Sequence, residues 1–397
     1  MAAQPSPVTP GVLRWAVDED GRTAEDLADA LRVEPSLLQA WLQGDSAPTR
    51  GQVSRLATVL QRPRALFFLP RAPAAATLPA SFRHPPGDER DVSARARRKV
   101  RQARRIQHAV SWALRDEPPL DVPLATLEDN PDKVAQGVRE WLGISDAEQA
   151  HWNDDRDALR AWREALEERG VLVFVLEVGR DDVRGFSAWD DHAPLIVANL
   201  SGVSPAARSF TFAHELGHLV TRQDAACIEQ DGPLLGAEVE RWCERFGAAL
   251  LMPRASVIDL GNDRGITRGA ADLDDVRAVT RRFRVSARAA AVRLIDLGLG
   301  APPLYAEVES VFVPAPPPPK GTPMARPPRS VARIREYGPA TVRTVLTALP
   351  PRDALSVLRL TVEDVRRLGH PTPSRPRGAL SQPPGSLPSC TASSGAR

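Results

Sequence analysis

Apolar positions recur every three or four residues over most of this chain, and one central stretch breaks that rhythm. Near the N-terminus, Thr23 to Val33 predicts a helix opened by a Thr-x-x-Asp variant of the capping box. Pro35 to Leu42 predicts a second helix closed at Gly44, and Pro48 to Leu60 a third with Val53, Leu56, Ala57 and Leu60 on one face. A long basic helix is predicted from Arg95 to Leu114, and Asp157 to Arg169 sets Leu159, Trp162 and Leu166 at helical spacing ahead of a stop at Gly170. Three β-rich runs follow: Val171 to Val178, Val183 to Trp189 and Pro194 to Asn199. Helical spacing returns from Ala207 to Val220 and from Glu238 to Pro253, then in two short helices between Asp274 and Leu299 that break near Val285 and Ser286. Pro302 to Pro328 is proline-rich and reads as unable to form a regular core element. Ala340 to Leu368 is helical again, and the Pro-, Ser- and Gly-rich stretch from Pro371 to Arg397 is expected to be disordered.

A chain of 397 residues leaves room for two or three domains. The net charge of +2 gives no overall pull toward nucleic acid or membrane. With no apolar run long enough for a bilayer and no charged start or apolar core of a signal peptide, a cytoplasmic location is expected. Cys227, Cys243 and Cys390 are an odd, scattered set, which argues against a disulfide framework.

Two of the chain's seven histidines change this picture. His214, Glu215, Leu216, Gly217 and His218 form an HExxH motif inside a helical run. Side chains four apart on a helix share a face, so both imidazoles can converge on one metal ion, for which zinc is the best fit. Glu215, the next residue round the helix from His214, is placed to serve as a general base toward water. A helix with two core histidines and no metal would bury Glu215 without a partner, which is expensive for a carboxylate. A hydrolytic zinc needs a third protein ligand, and the following helix offers Glu240 and Glu244, one turn apart, with Glu238 as a competitor. One carboxylate could bind the metal while another accepts a hydrogen bond from a liganding imidazole; the same three residues could also form a solvated helix face.

These motifs resemble the ImmA/IrrE metallopeptidases, which carry FTLAHELGHL and then a helix of the form ExxANxFAAxLLMP. Here the sequence reads Phe210-Thr-Phe-Ala-His-Glu-Leu-Gly-His-Leu219 and then Glu240-Arg-Trp-Cys-Glu-Arg-Phe-Gly-Ala-Ala-Leu-Leu-Met-Pro253. The resemblance implies a zincin-like α+β peptidase domain, gluzincin-like, over residues 129–300, with a small sheet and Zn2+ held by His214, His218 and Glu240. It places Glu244 in the role of supporting a ligand, where the family usually has Asn or Asp, and Cys243 where the family has Ala. It also implies that the edge strand pairs with an extended substrate, with Leu195, Ile196, Val197, Ala198 and Asn199 as the candidate for that strand; the same segment reads equally well as an ordinary buried strand.

Residues 8–70 resemble a five-helix helix-turn-helix domain of the phage-repressor (XRE-like) type, with Pro35 to Leu42 as the recognition helix. Ser36 and Gln39 are then the polar side chains facing base edges, with Arg50 beside them as a further DNA contact. Arg32 stands where such domains usually have Gly. The remaining segments read as a basic helical linker (71–128), a Pro-rich linker (301–328), a small helical appendage (329–370) and a disordered tail (371–397). The arginines of the linker helix read as a solvated face or a grip on nucleic acid or an acidic partner. The whole predicts a multidomain α and α+β protein, a zinc endopeptidase that cleaves a transcriptional repressor or antitoxin-like partner in gene regulation or stress response. DNA and a second copy of the chain are further partners. The competing expectation is a DNA-binding regulator or antitoxin whose zinc domain senses or scaffolds without proteolysis.

Overall fold

The computed structural model describes residues 6–73, 93–179, 183–222, 233–312 and 327–369. The expected disordered tail and half of the Pro-rich linker lie outside the described residues. Among those described, eighteen α-helices surround one three-stranded sheet.

The N-terminal unit comprises α1 (Pro10–Asp18), α2 (Ala24–Leu31), α3 (Pro35–Gln43), α4 (Arg50–Val59) and a 3₁₀ turn (Arg64–Phe68). The Thr23 hydroxyl accepts from the Asp26 amide to start α2, and Thr49 and Gln52 form a reciprocal capping box at α4. Leu13, Leu27, Leu31, Leu38, Trp41, Leu56 and Phe67 pack into a core of their own. Where the sequence reads five helices, the described residues hold four and a 3₁₀ turn, because Pro63 and Pro70 leave too short a segment between them for a regular α-helix. Arg32 takes the left-handed conformation at φ 55°, the turn position at which a glycine carries no Cβ penalty.

Next come α5 (Ala94–Ala113), α6 (Pro131–Leu142), α7 (Asp146–Ala150) and α8 (Asp155–Glu168), then β1 (Leu172–Leu176), β2 (Gly185–Ala188) and β3 (Leu195–Asn199). The strand order is β1-β3-β2, with β3 parallel to β1 and antiparallel to β2. All five β3 residues are buried because both sheet faces are covered, which explains their unbroken apolar run. Val173, Val175, Ile196 and Ala198 face the core shared with α6, α8, α9 (Pro205–Thr221) and α10 (Pro233–Leu251). Leu172, Phe174, Leu195 and Val197 face the opposite way.

That opposite face is covered by two segments the sequence reads as accessory. Val100, Ala103, Ile106 and Val110 of α5 pack there, alongside Tyr337, Val342, Val345 and Leu358 from the C-terminal helices. Gln107 on α5 donates to the carbonyls of Ala188 and Ala193, and Gln102 donates to the Tyr337 hydroxyl. The basic residues of α5 also find partners inside the protein: Lys99 pairs with Glu336, Arg105 donates to Ser356, and Arg98 and Arg101 reach Asp20. Thus α5 is a structural layer rather than a free linker, and residues 329–369 complete the same core. Part of the Pro-rich segment is also regular. α14 (Pro303–Val311), which follows α11 (Arg254–Asp263), α12 (Leu273–Phe283) and α13 (Ala287–Asp296), begins at a proline, where no amide is needed, and buries Leu304 and Val308. The last four helices are α15 (Arg329–Tyr337), α16 (Pro339–Ala348), α17 (Pro351–Leu358) and α18 (Val362–Gly369).

Ending the chain at Phe312 would uncover Phe174, Leu195 and Val197 of the sheet. Such a variant is expected to lose its cooperative thermal transition and aggregate. A truncated chain that melts as the full one does would refute this packing role.

Candidate metal centre

α9 starts at Ser204, whose hydroxyl accepts from the Ala207 amide, and at Pro205 in the first turn. It ends at Arg222 in the left-handed conformation, whose guanidinium binds the Leu219 and Val122 carbonyls and lies 3.5 Å over the Trp189 ring. Between these ends the helix is almost entirely interior: His214, Glu215 and His218 are 1%, 2% and 5% exposed.

α10 packs across α9 at a distance set by two glycines. A Cβ on Gly217 would lie 3.1 Å from Cys243 Sγ and from Phe246, and one on Gly247 would lie 3.2 Å from the His214 amide nitrogen. A larger side chain at either position has room only if its neighbours on the facing helix give way. The close approach brings Glu240 over the histidine pair: its Oε2 is 3.2 Å from His214 Nε2 and its Oε1 3.3 Å from His218 Nε2. The two Nε2 atoms are 3.2 Å apart. Zinc bound tetrahedrally at about 2.0–2.1 Å spaces its ligand atoms about 3.3–3.4 Å apart, so this donor set fits the ion in type and size. His214, His218 and Glu240 are the one three-residue group of metal-binding type among the described residues.

The electrostatics agree with a cation-binding role. Burial acts to raise the Glu240 carboxyl, but hydrogen bonds and charge from His214 and His218 outweigh it and hold the group well below the usual carboxylate range. Burial acts to lower His218, yet Cys243, Glu240 and Glu215 hold it well above its ordinary value. The Cys243 thiol beside it is itself pushed up, mainly by burial.

Glu215 is held from the sheet. Ser187 on β2 donates its hydroxyl to Glu215 Oε2 at 2.8 Å. A Cβ on Gly185, two residues earlier on the same strand, would come within 2.4 Å of Thr211 and 3.2 Å of Glu215 Oε1, so this strand can approach α9 only with glycine there. Neither Ser187 nor Gly185 stands out in the sequence; the clue was the two-residue alternation that puts both on one face of the strand.

Two expectations are corrected. Glu244 does not support a ligand: it is exposed, as is Glu238. The stripe of α10 facing α9 is Val239, Trp242, Cys243 and Phe246, and the helical turn rotates Glu244 further from it than Glu240. The side chain lying against His218 is Cys243 instead. Leu195, Ile196, Val197, Ala198 and Asn199 do not form a sheet edge, because β3 is the central strand and pairs on both sides. The edge next to α9 is β2. Farther away, Ser36 and Gln39 lie exposed on α3, and Arg50 lies exposed in the first turn of α4.

The IrrE N-terminal-like domain family (Peptidase_M78) matches residues 166–295, so the chain carries a domain of this class around the site. Among solved structures, a Mycobacterium tuberculosis transcriptional regulator is similar at 17% identity and a TM-score of 0.30, over 48% of this chain and 51% of that one. The similarity thus spans about half of the regulator. No curated protein matches the chain. No described helix is long and apolar enough to cross a membrane.

Gly247→Val would push side-chain bulk against the α9 backbone. Denaturant unfolding is expected to show a loss of about 1–3 kcal/mol, with weaker metal uptake by the same variant. Unchanged stability and uptake would mean that the close helix contact does not build the site.

Proposed function

We propose that this chain is a zinc-dependent endopeptidase that cleaves one regulatory protein, a transcriptional repressor or antitoxin-like partner. The observation that carries this reading is the convergence of three ligand atoms from His214, His218 and Glu240 beside a separately anchored Glu215. A purely structural metal site has no use for a buried carboxylate that is tied to the sheet and left out of the ligand set.

Zinc on these ligands would acidify a water and polarise a peptide carbonyl. Glu215, fixed by Ser187 through Oε2, takes up a proton from water and returns it to the leaving amine. The β2 edge offers backbone groups to an extended peptide, so the substrate chain lies along the strand that positions the base. Gly185 keeps this strand close to α9. In this reading the N-terminal helical unit brings the substrate or its operator near, and Ser36, Gln39 and Arg50 are the side chains it offers to DNA.

Mass spectrometry of purified protein is expected to find about one zinc per chain, with the metal lost or much weakened in His214→Ala and Glu240→Ala. A wild-type protein that takes up no zinc would remove the basis for peptidase chemistry. Glu215→Gln should keep the zinc and abolish cleavage of the cellular partner, read as persistence of the full-length partner by proteomics. A Glu215→Gln strain indistinguishable from wild type would favour regulation without proteolysis.

A further inference from the structure

The join between the N-terminal unit and α5 holds more positive charge than the described residues neutralise. Arg22, Arg62, Arg98 and Arg101 converge on Glu19 and Asp20, four cations on two carboxylates. Asp20 is fully buried and takes Arg22 at 2.5 Å and Arg98 at 3.3 Å. Arg101 donates one nitrogen to the Glu19 carbonyl, while its Nη2 stays 3.6 Å from Asp20. Arg62 lies over the Trp15 ring and makes only a long ion pair with Glu19, at 3.7 Å. Four buried donors gathered here have no hydrogen-bond acceptor, Arg62 Nε and Nη2, Arg101 Nη2 and Trp15 Nε1, and the Asp20 Oδ2 oxygen, 3.6 Å from Arg101 Nη2, has no donor.

Such a group is costly as it stands. Buried donors without acceptors lose the hydrogen bonds they had in water, and buried like charges repel. Burial pushes Arg101 down to about 10, with Arg62 next to it acting in the same direction. Beside Arg62 the surface opens into a recess of about 300 Å³, lined by Ser54, Ala57, Thr58, Arg62 and Arg64. Arg64 is exposed at its rim, 3.4 Å from the Ser54 hydroxyl, and adds a fifth cation.

We propose that this recess binds a phosphate-class oxyanion, with Arg62 and Arg64 as its ligands. A doubly charged tetrahedral oxyanion supplies the missing negative charge and several acceptor oxygens, and guanidinium forks match its geometry. The site lies apart from the HExxH centre and uses neither Ser36 nor Gln39 of α3. Arg62 lies beside Arg101 of α5, so negative charge in the recess relieves repulsion across the join and stabilises the folded chain. The phosphate can come from a small phosphate ester or from a nucleic-acid backbone.

The test is calorimetric titration of the full chain with inorganic phosphate and with pyrophosphate in chloride buffer. Melting temperature is read in parallel. Saturable binding is expected, with a rise in melting temperature. Arg62→Gln should weaken binding at least about tenfold. The exposed Arg64→Ala, which leaves the packed cluster intact, should weaken it several-fold and so serves if Arg62→Gln fails to fold. Absence of saturable binding up to about 10 mM, or equal binding by wild type and Arg64→Ala, overturns the proposal. Where binding is found, displacement of phosphate by duplex DNA identifies a backbone phosphate as the source. Retention of phosphate in the presence of duplex identifies a small ester. Both results uphold the site.

Discussion

The site depends on the close approach of two helices through Gly217 and Gly247. The three donor atoms come from two segments, and only this contact sets the offset between them. A wider separation would leave Glu240 hanging over solvent and the two imidazoles facing an apolar wall. With the helices this close, Glu240 is still about a third exposed while both histidines are interior. The donor group is therefore buried on the histidine side and reaches solvent at the carboxylate, the asymmetry that an open metal position needs if a ligand is to enter.

The sheet gives this helix pair a rigid floor. Its three strands are short, and a small sheet open to water on one face would be a weak support. Here α5 and the C-terminal helices close the far face, so β3 is held between two cores and β2 is held in register against it. The basic character of α5 fits the same role. Its charged residues reach outward to Asp20, Glu336 and Ser356 while its apolar stripe lies on the strands, so one helix joins the N-terminal unit, the sheet and the C-terminal layer.

The parts legible in the sequence are those written within a single element. His214, Glu215 and His218 share one helical turn, and the three β runs appear as apolar stretches bounded by turn residues, so local periodicity finds them. Features that require pairing between elements are less visible. Glu240 and Glu244 differ only in their rotation about α10, which depends on the face that meets α9. The order β1-β3-β2 cannot be read from three separate runs, so the segment of β3 reads equally as an edge or a buried strand until its unbroken apolar composition is matched to cover on both faces. Ser187 is an ordinary polar residue of a four-residue strand until that strand is laid against α9. In the same way, the α5 arginines read as a solvated face or a grip on a partner and residues 329–370 as an appendage, because their partners lie far away in the sequence or in another layer.

In the proposed peptidase, the hydrogen bond from Ser187 to Glu215 makes the sheet part of the reacting machinery. A peptide that adds to β2 loads the strand that also tethers the base, so any slip or tilt of the guest strand is transmitted through one hydroxyl to the carboxylate. Alignment of the guest chain and aim of the base become a single mechanical variable. On that proposal, a chain that lies down poorly meets a misdirected base, and fidelity toward one partner follows from geometry rather than from a deep specificity pocket.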